Sequence, residues 1–176
     1  FSYRGAGTPV APTLSGNGIT WTQITTGTHT GDLVRLTAFK GLSASPSAGA
    51  LTIDFGAETQ NECHWTIAEF AGVDTNIGVV VVQSAMNTGT NTTTLTVTLG
   101  AFSSANNATD GGFYCTSTPL TPGAGFAELS DQSNLQAEWR NDNDTTVDVS
   151  WTGNANSIGI AIEIKAGGAA YSLTPA

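Results

Sequence analysis

Ile158-Gly159-Ile160-Ala161-Ile162-Glu163-Ile164 puts an isoleucine at every second position, with small or charged residues between. Side chains alternate between two faces in a β-strand, whereas a helix would scatter these four isoleucines around its surface. The stretch therefore predicts a strand with a greasy face and a wet face. The same two-residue period recurs along the chain. Val147, Val149 and Trp151 alternate with Thr146, Asp148 and Ser150; Leu135, Ala137 and Trp139 alternate with Gln136, Glu138 and Arg140. Leu95, Val97 and Leu99 alternate with threonines, and Leu51, Ile53 and Phe55 with Thr52 and Asp54. One dry face and one solvated face is what an antiparallel sheet laid over a core requires.

Further strands are expected at 19–25, 33–40, 63–70, 77–84, 112–116 and 125–129. Turn-rich segments separate them at 14–18, 43–49, 87–91, 103–112 and 118–125. About ten or eleven short antiparallel strands predict an all-β sandwich of jelly-roll type. No window carries a helical stripe, and 101–107 is the best place for a single helical turn. Residues 1–166 read as one domain and 167–176, rich in Gly and Ala, as a tail or arm. The opening Phe1-Ser2-Tyr3-Arg4-Gly5 reads like the end of a strand, which suggests sequence upstream of it.

Composition agrees. The chain has 176 residues, 39% hydrophobic and only 11% charged, the reverse of a disordered chain. Its formal charge is −9 and it holds five Lys and Arg in total, too few to neutralise a phosphate backbone. No nucleic-acid or membrane partner is expected. The longest apolar run, 79–82, is strand-sized and far short of a membrane span. It is apolar on both faces, so Val80 and Val82 are expected either under a covering loop or at a subunit interface. Tyr171 and Leu173, in a tail without side-chain charge, are the matching interface candidates there.

The search for chemistry finds little. No phosphate loop, dinucleotide fingerprint or nucleophile elbow is present. Adjacent Cys63 and His64 point to opposite faces of a strand, and His29 reads as a solvated turn residue, so no metal centre or other cofactor is expected. Asp142, Asp144 and Asp148 are weak calcium candidates, because Thr146 and Val147 break the calcium-loop pattern. Glu69 falls on one face with Trp65 and Ile67 but lacks an acidic partner for glycoside hydrolysis. Cys63 and Cys115 are two thiols or, outside cells, a candidate disulfide. Alternation turns Trp21, Trp65, Trp139 and Trp151 inward and leaves Tyr3 and Tyr114 as candidate platforms for a glycan.

Several pieces carry a resemblance, in order along most of the chain. They are the opening Phe1-Ser2-Tyr3-Arg4-Gly5, Gly18-Ile19-Thr20-Trp21, Ala44-Ser45-Pro46-Ser47-Ala48-Gly49, Thr52-Ile53-Asp54-Phe55, the segment Trp65 to Thr75, and Gly159-Ile160-Ala161-Ile162-Glu163-Ile164. This pattern resembles a group of β-rich phage virion proteins and uncharacterised metagenomic proteins. The resemblance implies a jelly-roll-like module of a tail, fibre or capsid surface, and no catalytic motif. The expected function is thus a non-enzymatic structural module of a virion surface, assembled in multiple copies with itself and other virion proteins. The alternatives are a module binding carbohydrate or a host surface, and a secreted bacterial surface or filament subunit.

Overall fold

The computed structural model describes residues 2–5, 9–29, 31, 33–168 and 174–175. Among them there is no helix, and the strands are β1 (Ser2–Gly5), β2 (Thr13–Gly16), β3 (Thr20–His29), β4 (Val34–Leu42), β5 (Leu51–Asp54), β6 (Gln60–His64), β7 (Phe70–Ala71), β8 (Val81–Thr98), β9 (Ala108–Cys115), β10 (Leu120–Pro122), β11 (Ala127–Gln132), β12 (Leu135–Arg140), β13 (Thr146–Ile164) and β14 (Thr174–Pro175). All pairings are antiparallel. A first sheet runs β3-β4-β1-β6. A second runs β10-β13-β9-β12-β11, with β8 also on β13. The all-β antiparallel sandwich read from the alternation is the fold observed.

The two longest strands organise it. β8 and β13 pair along most of their length, and the register breaks between Ser150 and Ser157. Gly153 and Asn91 take positive φ there, 80° and 57°. Asn87 Nδ2 donates to the Thr96 carbonyl at 2.8 Å, nine positions along the same strand. A straight strand would hold those positions about 30 Å apart. The β8–β13 ribbon is therefore folded at a corner, and its far half lies back over its near half. The regions expected as two strands each, 77–84 with 95–99 and 146–151 with 158–164, are single bent strands.

This folding creates three layers and two dry seams. In the first seam Val34 and Leu36 of β4 meet Tyr114, Leu135, Ile158, Ile160 and Ile162 of the second sheet. In the second, Leu95, Val97, Val147 and Val149 of the far half pack on Phe113, Cys115 and Ala161. The near half thus has no wet face. Gly159, Ala161 and Glu163, expected in solvent, are buried under the far half. Glycines let the layers approach. A Cβ on Gly159 would lie 2.5 Å from the Phe113 ring and 3.0 Å from Val97 Cγ2. One on Gly111 would lie 2.7 Å from Val147 Cγ1. Strand-interior glycine commonly marks such close approach.

Covering both faces buries polar residues that alternation assigns to water. Glu163 is fully buried, and its carboxylate accepts from Ser103 N (3.0 Å), Ser103 Oγ (3.0 Å), Asn107 Nδ2 (2.5 Å) and Gln83 Nε2 (2.6 Å). Through these bonds it ties down 101–107, which is a loop and not a helical turn. Glu138 is also fully buried, but it accepts only the Gly123 N–H, at 3.2 Å, on one oxygen. Burial pushes its carboxyl up to about 8, the Gly123 bond opposes, and the nearby Asp148 and Asp110 add to the rise.

Other expectations change at the edges. His29 is buried at the end of β3, with Nε2 3.2 Å from Thr90 Oγ1, and is not a solvated turn residue. Val80 is buried in the first seam, because the chain straightens into β8 only after it. Residues 65–69 leave the strand, so Trp65 and Ile67 are 50% and 53% exposed instead of facing inward, and Glu69 is exposed too. At the tail, Gly167 N donates to Gly72 O (2.8 Å) and β14 pairs with β7 of the same chain.

Two consequences are measurable. Gly159→Ala and Gly111→Ala should each lower unfolding free energy by about 1–3 kcal/mol, the usual cost of overpacking a dry seam, in urea titrations. Glu138 binds a proton more readily when folded than when unfolded, so its ionisation opposes folding. Stability should fall as pH rises from the ordinary carboxylate range through about 8. Melting curves of Glu138→Gln should show a flatter dependence over that window.

Candidate functional site

Between the first sheet and the near half of the second, the packing leaves a cavity of about 380 Å³. That is within the size range of small-molecule sites. Its floor is the face of the second sheet that carries Ala108, Asp110, Gly112 and Tyr114 in alternation. The register sets Gly112 between Ala137 and Ile160. Glycine and alanine side by side leave a hollow, and a Cβ on Gly112 would meet nothing within 4 Å. The opposite wall is the first sheet, with Trp21, Leu36 and Phe39. The 65–69 segment borders the opening, with Trp65 and Ile67 among the lining and half in solvent.

Two acidic residues, Asp110 and Glu69, line this largely apolar space. Asp110 lies beside Ile162 and Trp139 in the sheet and lines the cavity. Burial pushes it up to about 7, and the Gly111 backbone N–H only partly offsets this. The other titratable groups lining the cavity are Lys40 and Glu69. Lys40 Nζ is held by the Ile77 carbonyl at 2.6 Å. Alternation could have exposed the floor, since Asp110, Gly112 and Tyr114 share a face. The polar and glycine-rich sequence around them reads instead as a turn, so the site was missed.

The residues singled out by sequence distribute as follows. Tyr114 is 2% exposed in the first seam, opposite Ile158 and Leu135, and cannot serve as a glycan platform. Tyr3 sits in β1 opposite Arg35 and Cys63, while its side chain lies outside the described residues. Tyr171 and Leu173 also lie outside them. Cys63 and Cys115 are thiols, not a disulfide. Cys115 is in the second seam, where its sulfur accepts from Ser117 N, and Cys63 is in the first sheet, so the second sheet stands between them. Burial pushes the Cys63 thiol up, which disfavours the reactive thiolate.

The acidic trio is also dispersed. Arg140 pairs through Nε with Asp142 and through Nη1 with Asp144 Oδ2 at 2.8 Å. Asp144 Oδ1 accepts from Thr146 N and Oγ1, both at 2.9 Å. Asp148 stands apart, against Gly123. A guanidinium thus occupies the place proposed for calcium. No cluster of three or more His, Cys, Asp or Glu suited to a metal ion occurs among the described residues.

On the surface, β8 is an edge. It hydrogen-bonds to β13 on one side and has no strand on the other among the described residues. Its eighteen residues contain neither a charge nor a proline. Val82 is 39% exposed on it, and Ile77 and Val79 are exposed just before it. Comparison with known proteins gives no match to a family model, a curated protein or a solved structure, so the likeness to virion proteins rests on the sequence pieces alone.

Proposed function

We propose that this chain is a non-enzymatic structural module that works in many copies, on the outer surface of a phage particle. The observation that carries the reading is the β8 edge. Edge strands are normally guarded by lysine, proline or shortness, because bare backbone donors and acceptors recruit further strands. This one is long, neutral and unguarded, in a molecule whose formal charge is −9. Like-charged copies can approach along a neutral edge without direct repulsion. Exposed Val79 and Val82 add apolar contact at its start. Tight double-seam packing suits a rigid part that displays surface. A virion surface, or another extracellular assembly, supplies the high local concentration such contacts need.

A second reading has its own observation. Trp65 is half exposed, and an exposed aromatic face can stack on a sugar ring. Trp65 would then replace Tyr114 as the platform of a glycan-binding module.

Size-exclusion chromatography with light scattering should show concentration-dependent multimers. Val82→Lys combined with Ser84→Lys, both at exposed positions, should return the protein to monomer with unchanged far-ultraviolet dichroism. A strict monomer at high concentration would overturn the assembly reading. Glycan-array binding abolished by Trp65→Ala, with the multimer intact, would favour the second.

A further inference from the structure

We propose that the inter-sheet cavity is a binding site for a hydrophobic primary amine, its ammonium paired with Asp110 and its hydrocarbon against the apolar walls. The shape comes first. The hollow over Gly112 and Ala137 is a consequence of sequence, since two small residues sit where neighbours carry isoleucine and tryptophan. A fold that packs its other seam so closely that glycines touch side chains leaves this one open.

The chemistry selects the head group. Asp110 lines the cavity and is largely shielded from solvent. A carboxylate in such a place is stabilised by an opposite charge within about 4–6 Å. The chain does not supply it: Lys40 is the sole described cation lining the cavity, and it is bonded to the Ile77 carbonyl. Glu69, a second acidic residue, lines the same space and also favours a cation. The walls contribute Trp21, Trp65, Phe39 and Phe70, whose ring faces attract ammonium and whose area buries hydrocarbon. An acid would meet Asp110 and Glu69, and a neutral alcohol would leave the carboxylate without a counter-charge.

Three probes of one chain length separate these cases: octylamine, octanol and octanoate, titrated at pH 7.5 by tryptophan fluorescence and calorimetry. Octylamine should bind about tenfold or more tighter than octanol, the size of a desolvated charge pair, and octanoate should not bind. Asp110→Asn should erase the preference of amine over alcohol. Gly112→Val fills the hollow without a backbone clash and should abolish binding of octylamine and octanol with the fold intact. In the wild-type protein, carbon-13 titration of the Asp110 carboxyl should move downward from about 7 when octylamine is added. Equal affinity for amine and alcohol, a preference that survives Asp110→Asn, or no binding of any probe would overturn the proposal.

Discussion

The fold depends on the contact of the β8–β13 ribbon with itself. Its far half lies on the near half, Val97 and Val147 against the Phe113 ring, across the gaps at Gly159 and Gly111. Hydrogen bonding along two paired strands holds each half straight; apolar burial, at roughly 25 cal/mol for each Å² removed from water, and the Asn87–Thr96 bond hold the halves together. If the corner opened, the near half would lose its cover and expose the buried face of Phe113, Cys115 and Ala161. Glu163 and Glu138 would be rehydrated at the same time. The second seam and the buried acids therefore stand or fall together.

The buried Glu163 and Glu138 and the partly exposed Asp110 meet that cost in three ways. Glu163 is surrounded by four donors, and a carboxylate so satisfied can anchor a loop. Glu138 has one donor and two acidic neighbours, so it avoids ionisation. Asp110 has one backbone donor and an empty space before it. Glu163 is satisfied within the fold, Glu138 keeps one oxygen without a partner, and Asp110 borders the cavity.

Alternation made the strands and the first seam legible in the sequence. Ile158 to Ile164, Leu135 and Val147 to Trp151 all bury the side that their period assigns. The second seam was not legible, because period two reports which residues share a face and not what covers it. Gln136, Glu138 and Glu163 look like solvent-facing residues, and their burial follows from a corner at Gly153 and Asn91 far away in sequence. Tyr114 was misplaced for a related reason. The segment from 103 to 112 reads as a turn, which hid the start of β9 and with it the floor of the cavity. Trp65 failed in the other direction, since a strand predicted through 70 ends at His64 and frees the indole to point outward.

The distribution of charge ties the surface to this architecture. Fourteen acidic side chains face five basic ones, so copies of the chain repel one another over most of their surface. Repulsion between exposed charges fades beyond about 8–10 Å at physiological salt. β8 is folded at its corner, so each neutral half of it spans roughly 30 Å, still a few such lengths. An acidic surface with a bare, uncharged strand edge thus favours approach along that edge over approach across the acidic faces.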